Sequence, residues 1–410
     1  MKRKLVASGI ILAAVGCGFV ANNIMINKAG QEVTTEILHT LQNYENDSIQ
    51  IQRLSSEVNG SKIEEQYVIY IIVDGKRADN QPIFFNHTAK IGLFASSVDG
   101  NFTIVKDKGL AKKFIEEVTT FNDNIAYSFS TIDNNIDLKG EVQVGKIQDG
   151  LSYLELGKLT FSSVGSSKQF SSTMHLPRLI YNKRDEQYSL SDFTIKSVGG
   201  ENAPKNTFDI KTGKMSVLDN RYNQSLQVSG FEWNTSLTNE PSATLTADID
   251  IDKLNINIDN VPKDNFDITL NLNVPGIPKS QLKEFSDVLA KGNISNHVVK
   301  KQAENILNQL LDNGINGNSF TLKVNDSLAK GSIALAPAKY SEMRPYQKRT
   351  QLIENLSAQV DFDLDKSLVQ SFPTISPVMH QYFDVSPQDK YTATFKLTNG
   401  QPTLNGQPLQ

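Results

Sequence analysis

Cysteine is almost missing from this chain: Cys17 is the only one in 410 residues. A single thiol excludes an internal disulfide and any cysteine-based metal site. Histidine is sparse as well, at His39, His87, His175, His297 and His380. The helical His-Glu-x-x-His spacing of zinc hydrolases does not occur. Nor does a phosphate-cradling glycine loop or a nucleophile elbow. Positive charge is not in excess. Net charge is −4, and the first 28 residues hold four basic residues and no acid, so the remainder is more acidic still. A nucleic-acid partner wants a basic stripe and is not expected. No clean internal repeat argues for a solenoid.

Two short matches to catalytic patterns carry little. Ser280-Gln-Leu-Lys283 has the Ser-x-x-Lys spacing at a helix start, and Lys211-Thr212-Gly213 matches a second element of the penicillin-binding set. There the Lys-Thr-Gly follows the serine, whereas here it precedes it, and a turn accounts for it more simply. Asp248, Asp250 and Asp252 share one strand face, as do Asp361, Asp363 and Asp365. Alternate side chains on a strand stand roughly 7 Å apart. Ile251 and Lys253 occupy places where a calcium loop needs turn residues and its glycine. These are solvated faces that resist aggregation. The expectation is no catalytic residue, no cofactor and no metal.

What is abundant is alternation. In Ser242–Gly276, Leu245, Ala247, Ile249 and Ile251 share one parity, and Leu254, Ile256 and Ile258 the other, after a one-residue slip near Asp252-Lys253. Phe266, Ile268, Leu270, Leu272 and Val274 repeat the rule. A period of two puts the apolar set on one face of a strand and Thr, Asp and Asn on the other. The slip predicts a bulge or a break, and Asn260–Asn265 with Pro262 predicts the reversing turn. Glu65–Val73, rich in β-branched and aromatic residues, predicts a buried strand. Further strands follow over 83–105 and 127–237, with Ser162–Ser172 as a flexible tip. Helical spacing predicts helices over 31–44, 110–121, 280–291 and 295–313, and shorter ones over 365–372 and from Ser376. Tyr391–Leu397 makes a last long strand, with tight turns at Asn399-Gly400 and Asn405-Gly406. The fold class is α+β, predominantly antiparallel: an extended curved sheet with a few helices packed on one face, plus an N-terminal membrane anchor. The divisions are 1–28, 29–220 and 221–410.

The N-terminus sets the compartment. Lys2-Arg3-Lys4 precedes an uncharged run from Leu5 to Ala21 that includes Ile10, Ile11, Leu12, Val15 and Phe19. The basic end stays cytoplasmic and the remainder is exported. At 17 residues the run meets the lower limit of about 17 for a spanning helix. Three readings stand: an uncleaved anchor, a lipoprotein signal with lipidation at Cys17 after Ala14-Val15-Gly16, and a cleaved signal.

The layout resembles the YdgA-like family of bacterial envelope proteins, long grouped as a domain of unknown function. The resemblance rests on the basic start and short anchor, on IFFNHTAKIGLF with Phe85-Asn86 and Gly92-x-Phe94, and on Tyr391–Leu409, YTATFKLTNGQPTLNGQPL. A Gly-Pro expected near Gly92 is missing, and Cys17 stands where the family has a plain anchor. The resemblance implies a β-rich body in the periplasm, held at the inner membrane, or lipid-anchored if Cys17 is modified. It supplies no catalytic residues. The function expected is a membrane-tethered, non-enzymatic structural or interaction module binding other envelope proteins. A sheet face that binds lipid or another apolar ligand is the alternative, and a hydrolase the second.

Overall fold

The computed structural model describes residues 35, 38, 42 and 49–409, apart from 60, 74–75, 79–81, 93–95, 131, 167, 239, 258–263, 282–283, 285–296 and 372–375. The anchor residues, Cys17, His39, Lys283 and most of the helices expected over 31–44 and 280–291 lie outside the described residues. Antiparallel sheet dominates, with 65% strand against 16% helix. The chain divides into two compact units. The first runs to Ala203 and takes in Thr212–Arg221; the second holds Pro204–Lys211 and continues from Tyr222.

In the first unit the strands are β1 (Ile49–Asn59), β2 (Lys62–Val73), β3 (Lys76–Arg77), β4 (Ile83–Ile91), β5 (Ser97–Ile104), β6 (Phe121–Ser130), β7 (Ile136–Val144), β8 (Lys146–Asp149), β9 (Ser152–Leu156), β10 (Lys158–Gly165), β11 (Phe170–Lys183) and β12 (Glu186–Gly199), with helix α1 (Gly109–Ile115) after β5. Strand β13 (Lys205–Asp219) is shared between the units. The antiparallel ladder runs β1-β2-β4-β5-β6-β7-β10-β11-β12, and β9 pairs with β8 and with the far end of β11. Its β4–β7 strands alternate strictly. In β7, Ile136, Leu138, Val142 and Val144 are buried, while Lys139 and Gln143 reach solvent. The buried face joins α1, through Leu110, Ala111 and Phe114, in one apolar cluster.

The helix expected over 110–121 is shorter than its stripe. It ends at Ile115, Val118 makes a strand-like bridge to Ile147, and Phe121 opens β6. Phe114 and Phe121 meet edge to face at 6.0 Å, so the shared stripe reports one core, not one helix. The Ser162–Ser172 tip is also mostly strand. Ser162–Gly165 pairs with Phe170–Thr173, and Ser163 Oγ lies 2.8 Å from Ser172 Oγ. Cross-strand hydroxyl pairing lets a serine-rich segment hold a ladder.

In the second unit come β14 (Gln224–Thr238), β15 (Ser242–Asn257), β16 (Asp264–Pro278), α2 (His297–Asp312), β17 (Ser319–Val324), β18 (Ser327–Leu335), a 3₁₀ turn (Tyr340–Glu342), α3 (Pro345–Asn355), β19 (Leu356–Asp365), α4 (Lys366–Ser371), α5 (Ser376–Tyr382), β20 (Asp384–Val385), β21 (Lys390–Thr398), β22 (Gln401–Leu404) and β23 (Gln407–Pro408). The ladder is β14-β15-β16-β17-β18-β19-β21-β22-β23, antiparallel throughout. The slip near Asp252 is a bulge: β15 shifts register against β16 between Ile251 and Leu254. On the other side of Asp252, Gly230 has φ +64°, and a Cβ there would lie 1.9 Å from Asp252 Oδ2. Glycine is what lets β14 pass the bulge, and both strands switch parity there together. Helix α2 is anchored to the turn that follows β18, where Asp312 accepts from the Ser341 N–H at 2.9 Å. Ile306 is buried and Leu307 exposed, so its apolar stripe is only partly covered.

Candidate functional site

Two places depart from an ordinary sheet: a polar chain inside the first unit, and an uncovered apolar face in the second.

The polar chain lies on the buried face. Register pairs Ser56 with Glu65, Glu65 with His87, and His87 with Phe102. Neighbours on that face are Ile63, Tyr67, Phe85 and Ala89. Glu65 Oε2 lies 2.9 Å from His87 Nδ1 and accepts from the Tyr67 hydroxyl at 2.8 Å. Glu65 Oε1 accepts from Arg53 and from Ser56, both at 3.1 Å. Residues 53 and 56 differ in parity. They reach the same carboxylate because β1 bulges between Arg53 and Ser55, which turns Leu54 outward. At the other end His87 Nε2 lies 2.8 Å from the Tyr127 hydroxyl. The Tyr127 ring occupies the space above Gly100, where a Cβ would come within 2.5 Å of it. The His87 ring stacks on Phe102 with centroids 4.5 Å apart.

The chemistry of this chain is set by burial. Burial alone would push the Glu65 carboxyl up, but hydrogen bonds from His87 and Tyr67, the positive charge His87 can carry, and the Ser56 hydroxyl hold it below its ordinary value. Tyr67 is pushed well above the phenol range by burial and then by the Glu65 charge; Tyr127 goes the same way through burial, Glu65 and Asp99. With a neutral imidazole the chain is complete: Nδ1–H donates to Glu65, Tyr127 donates to Nε2, and Arg53 balances the carboxylate. Glu65 and His87 side chains have no exposed surface. The arrangement orders a core and offers no reacting group to solvent.

The second place is built by register. Residues directly opposite on antiparallel strands share a face. One row therefore runs Trp233, Ile249, Leu270, Leu322, Ala329, Phe362, Ala393 across seven strands. A neighbouring row runs Thr235, Ala247, Leu272, Phe320, Gly331, Val360, Phe395. The opposite face carries Asn234, Asp248, Asn271, Thr321, Lys330, Asp361 and Thr394. At β19 and β21 the apolar rows are covered: Phe383 packs on Phe362 with centroids 5.8 Å apart, and Ala329 and Ala393 are buried. At β14–β16 they are not. From Thr244 to Ile251 every residue of β15, on both parities, is half-buried. Trp233 is 38% exposed, and it meets the equally exposed Phe208 edge to face at 6.5 Å. A strand under a second layer shows the buried–exposed alternation of β7. β15 does so only at Ala243, which is buried; from Leu245 to Ile251 the apolar side lacks that alternation and is not sealed by any described residue.

The catalytic-pattern residues do not converge. Lys211 pairs with Glu232 at 2.7 Å, Thr212 is buried and donates to the Ser191 carbonyl, and Ser280 is exposed in the helical turn that follows β16. Asp248 accepts from Asn271 and Asp361 from Thr394, each at 2.8 Å, and Lys390 lies 3.4 Å from Asp363. Among the described residues no group of three or more His, Cys, Asp or Glu could hold a metal ion, and no helix is long and apolar enough to cross a membrane. His175 bonds Thr194 and His380 bonds Tyr391. The His87 chain escapes sequence reasoning because its partners stand 22 and 40 residues away. The only local signal was a glutamate and a histidine at dry-face positions of two apolar strands. No family model, curated protein or solved structure matches the chain.

Proposed function

We propose that this is an exported, membrane-tethered, non-enzymatic protein of the bacterial envelope whose second unit binds the acyl chains of lipids on the apolar face of β14–β16. The observation that carries the reading is the contrast in coverage: the apolar residues of β15 from Leu245 to Ile251 are only half-buried, where the same pattern in β7 is buried. The apolar run from Leu5 to Ala21 behind Lys2-Arg3-Lys4 supports the tether, as does the YdgA-like layout, and acyl chains are the abundant apolar groups of a membrane. Magnitude selects the ligand. Each methylene removed from water gains about 0.8 kcal/mol, so about ten supply about 8 kcal/mol, against an association cost of about 4–15 kcal/mol. An apolar molecule of fewer than about five methylenes falls below even the lower bound, and a long acyl chain exceeds it.

The test uses the full chain in cells fed a diazirine-bearing fatty acid, irradiated, with adducts mapped by peptide mass spectrometry. Adducts are expected on peptides spanning 231–272. Adducts confined to 5–21, or none, would overturn the reading and leave a module that binds other envelope proteins, to be sought by protein crosslinking.

A further inference from the structure

We propose that the second unit carries a sugar-binding cleft between the 3₁₀ turn and α3, shaped for an N-acetylated amino sugar. The cleft is independent of the acyl-chain face. It holds about 540 Å³, inside the range of about 300–1,000 Å³ usual for small-ligand sites. Met343, Gln347 and Gln351 recur every fourth residue along it, with Tyr346 and Thr350 beside them. Residues four apart on a helix share a face. The charges in the lining cancel, because Lys339 pairs with Glu342 at 3.0 Å. A neutral, hydrogen-bonding ligand therefore suits the cleft better than an ion.

Its two amides have fixed and opposite polarity. Tyr340 is fully buried, and its hydroxyl lies 2.7 Å from the Ala336 carbonyl. A carbonyl only accepts, so Tyr340 donates there. The Tyr340 oxygen then accepts from Asn355 Nδ2 at 2.9 Å, and Asn355 Oδ1 accepts from Gln351 Nε2 at 3.0 Å. Gln351 is left with Oε1, an acceptor. Gln347 is fixed the other way. The Arg344 N–H only donates, so Gln347 turns Oε1 to it at 3.4 Å, in the capping box of α3, and is left with Nε2, a donor. Donor and acceptor stand one helical turn apart, about 5–6 Å between Cβ atoms. A trans amide shows its C=O and N–H on opposite sides and matches that pair: its carbonyl accepts from Gln347 and its N–H donates to Gln351. Tyr346 is 82% exposed, so its ring face is open. The negative face of a phenol ring attracts the C–H groups of a sugar ring. Half-buried Met343 offers its flexible thioether chain to the acetyl methyl. The lining is turn and helix, so an extended peptide gains no added-strand hydrogen bonds here.

The test is saturation-transfer NMR on the full chain in zwitterionic, sugar-free micelles. The probes are tri-N-acetylchitotriose, cellotriose, which has hydroxyls in place of the acetamido groups, and N-acetyl-trialanine. A saturable signal is expected from chitotriose, with cellotriose bound about fivefold more weakly or worse, the size of one lost hydrogen bond. Gln347→Glu keeps the oxygen that caps α3 and removes the donor, and Tyr346→Ala removes the ring. Each is expected to weaken chitotriose binding about fivefold or more, with the melting temperature near that of the parent because both residues are exposed. No chitotriose signal from the parent chain, or undiminished binding in both variants, would overturn the site. Equal affinity for cellotriose would overturn the amide pairing, and a signal from the peptide alone would overturn the sugar.

Discussion

Both ring nitrogens of His87 are engaged within an otherwise apolar face, so each partner carries a measurable share of the first unit's stability. Removing the Tyr127 hydroxyl leaves His87 Nε2 buried without a donor, which costs about 1–3 kcal/mol. Tyr127→Phe is therefore expected to lower the unfolding free energy of the first unit by that amount in urea denaturation followed by a probe within it. A change under about 0.5 kcal/mol would mean that Nε2 finds another partner. The same chain fixes a pH dependence. Glu65 is held below its ordinary value in the folded state, so its contribution is fully present above the unfolded glutamate value of about 4.3 and is lost as pH falls through the lower folded value. Glu65→Gln is expected to flatten the fall of melting temperature with acidity below about pH 4.3. An unchanged slope would exclude Glu65 as its source. Little of this was legible in the sequence. The pairing of Glu65 with His87 depends on the β2–β4 register, and the convergence of Arg53 and Ser56 depends on a one-residue bulge that no side chain announces.

Elements were legible where a single period governs a long stretch. The alternation in β15 and β16 is the ladder Leu245–Val274, Ala247–Leu272, Ile249–Leu270, Ile251–Ile268, and the slip at Asp252 is the bulge. The helical spacing that extends to Phe121 has a physical cause other than a helix. Leu110, Phe114, Val118 and Phe121 all face one core, and successive contributions from a helix, a bridge and a strand imitate helical spacing. The bulge in β15 makes a demand on its neighbour that the sequence does not state. Gly230 must hold φ +64° beneath the Asp252 carboxylate. Gly230→Ala puts a Cβ into that carboxylate and a non-glycine residue into the left-handed region, where strain costs on the order of 1–3 kcal/mol. A melting temperature lowered by several degrees is expected, with partial recovery in Gly230→Ala/Asp252→Ala, which removes the collision but not the backbone strain. Equal losses in single and double variants would show that Asp252 does not oppose the new methyl.

At the scale of the whole molecule, one sequence pattern serves two ends. Alternating apolar strands build both units, but in the first the dry face is buried against its own core and in the second, from Leu245 to Ile251 of β15, it is only half-buried. Composition cannot tell these apart, because Ile125 and Ile249 sit in strands of the same alternation. Their surroundings can: Ile125 is 1% exposed, and Ile249 is half-buried. The same substitution must then have opposite consequences. Ile125→Glu places a carboxylate where water does not reach, beside the cost of the lost packing, and more than about 4 kcal/mol is expected, a large share of the about 5–15 kcal/mol that holds a typical domain folded. Ile249→Glu lets the carboxylate reach solvent across an uncovered face and is expected to cost less than about 1.5 kcal/mol, while cutting fatty-acid adducts on 231–251 sharply. Limited proteolysis and thermal melting of the two variants side by side read the difference. If Ile249→Glu were as destabilising as Ile125→Glu, the face would be covered in the folded protein and the site for acyl chains would be lost. A stable variant with adducts gone would identify that face as open because it is used.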